Sequence, residues 1–155
     1  MLDYSKGVVI LLHKNSKIGR SCNALVIGEK MHITEQITDQ DLLLYLGLTN
    51  DNNPLFIQHD YAQNTIYKQP VVPPIVLNGI VFTAISKFLP GPGSYITAEQ
   101  SKYIAPVYHY EIVELTLEVV TIDVANNEAG ISFMMVNEKK QSVMEGLITV
   151  APPQS

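Results

Sequence analysis

The feature that most constrains this chain is one apolar helix bracketed by prolines and glycines. Pro73-Pro74 can open a helix, because the missing proline N–H would have no intrahelical partner in a first turn. From there Val76, Leu77, Ile80, Val81, Ala84, Ile85 and Phe88 cover a wide arc, and Leu89-Pro90-Gly91-Pro92-Gly93 stops the helix sharply. A helix apolar over so wide an arc is expected to be buried on most sides. The segments after it read as strands. Ser94–Ile104 alternates loosely, Glu111–Asp123 is strongly β-branched with a turn at Asn126-Asn127, and Ile131–Val136 and Ser142–Val150 flank a hairpin-like break at Asn137–Gln141. Ahead of it, residues 31–37 alternate as a strand. Thr38 caps a helix over Asp39–Leu48 that presents Leu42, Leu43, Tyr45 and Leu46. Asn50-Asp51-Asn52-Asn53-Pro54 is a turn cluster, and a second short helix is expected over 58–66. Helices followed by a run of strands argue for an α+β fold, an antiparallel sheet with the helix at about 74–88 packed on one face.

The 155 residues suffice for one domain. With 46% apolar and 16% charged residues, the chain cannot be a disordered tail or a coiled coil. So little charge implies that a partner subunit covers part of the surface. A net charge of −5 with only 10 Lys and Arg excludes a general phosphate-backbone binder. Cys22 is the single cysteine, so no internal disulfide can form, which fits a reducing, cytoplasmic setting. The apolar run Gly7–Leu12 is shorter than a signal core of roughly 7–15 residues or a membrane span of about 20. It is expected to be a strand in an N-terminal arm, residues 1–24, ahead of a main domain at 25–152. One cysteine and scattered histidines supply no metal-ligand spacing, and no cofactor is expected. Gly91-Pro92-Gly93 lacks the Gly-Lys-Ser/Thr of a phosphate loop.

From about Ala24 to Val150 the chain resembles the MaoC-like hotdog-fold family of (R)-specific enoyl-thioester hydratases and 3-hydroxyacyl-thioester dehydratases. Thr49-Asn50-Asp51-Asn52-Asn53-Pro54-Leu55 matches that family's Asp-x-Asn-Pro landmark, and Ala62 falls at the expected step. Pro70-Val71-Val72 precedes the central helix and Leu89-Pro90-Gly91 closes it at the expected distance. Ser101–Val107 resembles the strand leading to the family's Pro-Val step. The resemblance implies a single hotdog domain with a five- or six-stranded antiparallel sheet wrapped round the helix. It also implies an overhanging segment over 38–66, and pairing into dimers with the thioester site between subunits and the acyl chain along the helix.

The same resemblance shows what has changed. The family adds or removes water with a motif Asp and His, and steadies the enolate-like oxygen with a glycine N–H. The Asp is kept as Asp51, but the His position is Phe56, which transfers no proton. The glycine falls on Pro74, which has no N–H to donate. Asp51 has two open readings: a water-positioning carboxylate, or a turn aspartate bonded to nearby backbone N–H groups. If buried and unpaired, it should have a raised pKa. Asn53, Phe56, Pro74 and Gly79 are expected to line the cleft with it. His59 is a candidate relocated base at an exposed helix start. His109 reads as a surface histidine, and His13 and His32 as structural or exposed. Gly79 fits either close packing of the helix on the sheet or room for an acyl chain. Tyr67, Tyr103 and Tyr108 read as amphipathic core residues.

Three functions follow as expectations. The first is a hydratase or dehydratase of acyl-CoA or acyl-carrier-protein thioesters whose standard catalytic groups are compromised. The second is a non-catalytic substrate-binding subunit paired with another hotdog subunit. The third is a thioesterase-like hydrolase using Asp51. Expected partners are the acyl thioester and a second hotdog subunit, identical or different, with neither nucleic acid nor membrane.

Overall fold

A computed structural model describes residues 18–154. The expected strand at 7–12, and His13, lie outside the described residues. The elements are β1 (Lys30–Gln36), α1 (Asp39–Thr49), α2 (Pro54–Ile57), α3 (His59–Gln63), α4 (Pro74–Lys87), β2 (Tyr95–Tyr103), β3 (Ile112–Asp123), β4 (Glu128–Val136) and β5 (Ser142–Ala151). The five strands form one antiparallel sheet in the order β1-β3-β4-β5-β2.

The α+β expectation holds: α4 lies against the sheet as the central helix. Leu77, Val81, Ala84 and Ile85 share a core with Leu115 and Leu117 of β3, Ile131 of β4, and Ile148 and Val150 of β5. Each such side chain removed from water contributes about 1.5–3 kcal/mol. Ahead of the sheet, Gly19 N–H and Arg20 N–H bond the Pro92 and Pro90 carbonyls at 2.6 and 2.9 Å, tying this segment to the turn that ends α4. A Cβ on Gly19 would lie 2.5 Å from the Pro90 carbonyl oxygen, so that close approach requires glycine.

Two expectations need correction. The short helix expected at 58–66 is confined to α3, His59–Gln63, and a separate helix, α2, precedes it because Asn53-Pro54 starts one earlier. The Asn53 side chain accepts the Leu55 N–H at 3.0 Å, and extended Gln58 then breaks the run. The central helix is also not buried on most sides. Its chain covers only the sheet-facing side, while Ile75 remains 54% exposed and Gly79 faces open space. The reason is that α1, its partner on the other side, has no fully buried residue and leaves Leu43, Leu44 and Leu48 largely exposed.

Candidate functional site

The space between α1 and α4 is a groove of about 650 Å³. On its helix side lie Ile75, Val76, Gly79, Ile80, Thr83, Ala84, Lys87 and Phe88, recurring at three- and four-residue steps. The twelve residue steps from Ile75 to Lys87 rise about 18 Å. Leu44, Tyr45, Leu48 and Thr49 of α1 form the opposite wall, and Ile33, Glu35, Gln36 and Asp41 also line the groove. Asp41 is committed to the start of α1, where its carboxylate accepts the Thr38 N–H and hydroxyl at 2.8 and 2.9 Å. The groove lining is therefore mainly apolar, interrupted by polar side chains such as Thr83, Lys87 and Thr49. A Cβ on Gly79 would meet nothing within 4 Å, so close packing on the sheet does not explain this glycine.

A second cavity of about 310 Å³ lies on another side of α4. Phe56 and Pro74 line it together with Leu55, Tyr67, Val72, Leu77, Tyr103 and Ile104. Burial, and next the Glu99 carboxylate, push the Tyr103 hydroxyl above its ordinary value. The Tyr108 hydroxyl donates to the Tyr67 carbonyl at 3.0 Å.

The positions proposed from the sequence thus fall in three places. Phe56 and Pro74 share the smaller cavity, Gly79 opens onto the larger groove, and Asp51 and Asn53 line neither. Asn50 explains where Asp51 goes. It ends α1 in the left-handed region, at φ 56°, which asparagine tolerates well, and turns the chain back on the helix. Asp51 Oδ2 then accepts the Tyr45 hydroxyl at 2.6 Å, and Oδ1 accepts the Asn53 N–H at 2.9 Å. The Tyr45 hydroxyl first, and the Asn53 N–H second, hold the Asp51 carboxyl below its usual range. The expectation of a raised pKa is corrected: Asp51 is bonded and half-exposed, not buried and unpaired. The same bond holds the Tyr45 hydroxyl above its ordinary value. Sequence reasoning placed Tyr45 only on the apolar face of α1. The contact with Asp51 was hidden because it depends on the conformation of Asn50.

The histidines are scattered. His59 is exposed at the start of α3 and lines neither cavity. His32 pairs with Thr116 at 2.9 Å across β1 and β3. His109 is not the surface residue expected: its side chain is only 15% exposed, with Nδ1 at 3.7 Å from Asp39 Oδ1. Neither ring nitrogen has a hydrogen-bond partner among the described residues. Among those residues no cluster of three or more His, Cys, Asp or Glu could hold a metal, and no helix is long and apolar enough to cross a membrane.

The geometry is that of a hotdog-fold domain, and comparison with solved structures agrees on the fold. The chain is 30% identical over 92 residues to the (R)-specific enoyl-CoA hydratase of Rhodospirillum rubrum, covering 59% of this chain and 64% of that relative. It thus spans somewhat under two thirds of that protein's length. The unliganded R-hydratase PhaJ1 of Pseudomonas aeruginosa superposes with a TM-score of 0.81 at 23% identity, over 88% of each chain. The ChsH1-ChsH2 complex of Mycobacterium tuberculosis matches with a TM-score of 0.73 at 16% identity, over 82% of this chain and 98% of that one. No protein-family profile matches the chain.

Proposed function

We propose that the chain binds an acyl thioester, carried by CoA or by an acyl carrier protein, with the acyl chain lying in the groove between α1 and α4. On this reading it is a hydratase or dehydratase at the 2,3-position whose standard catalytic groups have been replaced. The observation that carries the reading is the groove itself. It is long and mainly apolar, and Gly79 keeps its floor open where any larger side chain would project into it. The similarity to an (R)-specific enoyl-CoA hydratase supplies the reaction class.

The replacement is chemical. Phe56 cannot exchange a proton, and Pro74 offers no N–H to a thioester oxygen. Loss of one such donor costs on the order of 3–4 kcal/mol at the transition state. Pro74 has no N–H, so that of Ile75, a groove residue, is the first in α4, and the next, Val76 N–H, is bonded to the Pro73 carbonyl at 2.9 Å. A helix N-terminus favours negative charge. The test is to incubate the purified chain with crotonyl-CoA and follow the absorbance of the conjugated thioester. Hydration above the buffer rate supports a hydratase. Tight binding of a saturated acyl-CoA without turnover supports binding alone, and absence of both refutes the proposal.

The second reading, a substrate-binding subunit beside a catalytic hotdog partner, is favoured by one observation. The groove wall formed by Leu44, Leu48 and Ile75 is largely exposed in the single chain. The structural match to the ChsH1-ChsH2 complex gives that reading a precedent in fold. A thioesterase with Asp51 as the direct base is disfavoured, because Asp51 reaches neither cavity.

A further inference from the structure

Asp51 lies outside the groove, yet one of its oxygens is bonded to a side chain that lines it. Oδ2 accepts the Tyr45 hydroxyl at 2.6 Å, and Tyr45 is part of the α1 wall facing Gly79 and Ile80. The other oxygen is held by the Asn53 N–H, so the carboxylate is fixed in orientation. Thr49 strengthens the arrangement. Its hydroxyl bonds the Tyr45 carbonyl at 2.8 Å and accepts the Asp51 N–H at 3.3 Å, locking the last turn of α1 to the Asp51 loop. Phenol and carboxylate are thus parts of one braced unit, of which Tyr45 and Thr49 are the residues that border the groove.

We propose that Tyr45 and Asp51 form a proton relay, with Tyr45 as the catalytic residue that meets the substrate water and Asp51 as its proton acceptor. The inference rests on the reading of the groove as an acyl-thioester site. In hydration, a water proton passes to Tyr45 Oη as the tyrosine's own proton passes to Asp51 Oδ2. The water oxygen bonds to C3, the C2–C3 π bond breaks, and its electron pair moves to C2 and the thioester oxygen. The proton then returns from Asp51 through Tyr45 to C2. Water has added across the double bond, and both side chains end as they began. Dehydration is the reverse. An ionised carboxylate makes a phenol oxygen a better acceptor while its own proton is shared, which is how two weak groups can do the work of one histidine.

The experiment compares wild type, Tyr45→Phe, Asp51→Asn and the double variant, with crotonyl-CoA turnover and hexanoyl-CoA binding measured on each. Tyr45→Phe keeps the ring and removes only the hydroxyl, so KM and hexanoyl-CoA affinity should stay within about twofold, while kcat falls by about a hundredfold or more. Asp51→Asn should lose a similar factor, and the double variant little more than either single one, because the two act as a unit. The wild-type kcat/KM should be flat between about pH 5 and 8, where a histidine would titrate. An inflection in that range, or Tyr45→Phe as active as wild type, overturns the relay and leaves the acyl-thioester reading intact. Hexanoyl-CoA binding without turnover by wild type does the same. If wild type neither binds hexanoyl-CoA nor turns over crotonyl-CoA, the relay and the reading beneath it both fail.

Discussion

The two long sides of α4 carry similar side chains and meet opposite fates. Toward the sheet, Leu77, Val81 and Ile85 are at most 3% exposed and belong to one continuous core. Toward α1, Ile75 is 54% exposed, Gly79 touches nothing, and the helix borders an open groove. Helix propensity does not separate the two sides; the shape of what faces them does. Strands β3, β4 and β5 fill the space on one side. On the other, α1 stands off, braced at its start by Asp41 and at its end by the Asp51 loop. One side of the helix stabilises the fold, and the other is left available for a ligand.

Substitutions can break that contrast. The largest effect is expected on the sheet side. Ile85→Ala should destabilise the protein by about 2–5 kcal/mol in chemical denaturation. A loss below about 1 kcal/mol would mean the core is not where the account puts it. On the groove side, Gly79→Leu should weaken binding of a hexanoyl thioester by roughly tenfold or more, about 1.4 kcal/mol. Acetyl-CoA should be affected less, since its chain stops short of mid-helix. Equal loss for both would show that Gly79 does not lie along the chain. Gly79→Ala is the finer probe. Its new Cβ meets no neighbour within 4 Å, so the gain in helix propensity, up to about 1 kcal/mol, should appear as increased stability of the ligand-free protein. A loss of stability would mean that something packs on this surface.

The smallest effect concerns pH. The Asp51 carboxyl is held below its unfolded value by the Tyr45 hydroxyl and the Asn53 N–H. Stability from those bonds is fully present above the unfolded carboxylate pKa and is lost as pH falls through the lower folded value. The Tm of wild type should therefore exceed that of Asp51→Asn by a constant margin at neutral pH. The margin should shrink below about pH 4, the ordinary carboxylate range. A margin that does not change with pH would mean the bonds form equally well to a protonated carboxyl.

Much of this was legible in the residues, and the exceptions are instructive. Pro73-Pro74 and Leu89-Pro90-Gly91 marked both ends of α4 because their effects are local and covalent. The β-branched run in β3 and the turns around it placed the strands for the same reason. The separate helix α2 ahead of α3 was hidden, since the break between them hinges on one extended residue, Gln58, that no composition rule singles out. The candidate positions were legible as individuals but not as neighbours. Phe56 and Pro74 meet in one cavity, while Gly79 looks into another, because residues on different sides of a helix need not share a cleft. The Tyr45–Asp51 pair spans six residues and exists only because Asn50 adopts positive φ. A hydrophobic-face reading of α1 assigns Tyr45 to packing and overlooks its hydroxyl.

The most direct test is a crystal structure with a bound hexanoyl-CoA. The account predicts the acyl chain between α1 and α4, passing over Gly79, with the thioester within reach of the Tyr45 hydroxyl. A chain seated instead in the smaller cavity against Phe56 and Pro74 would contradict it.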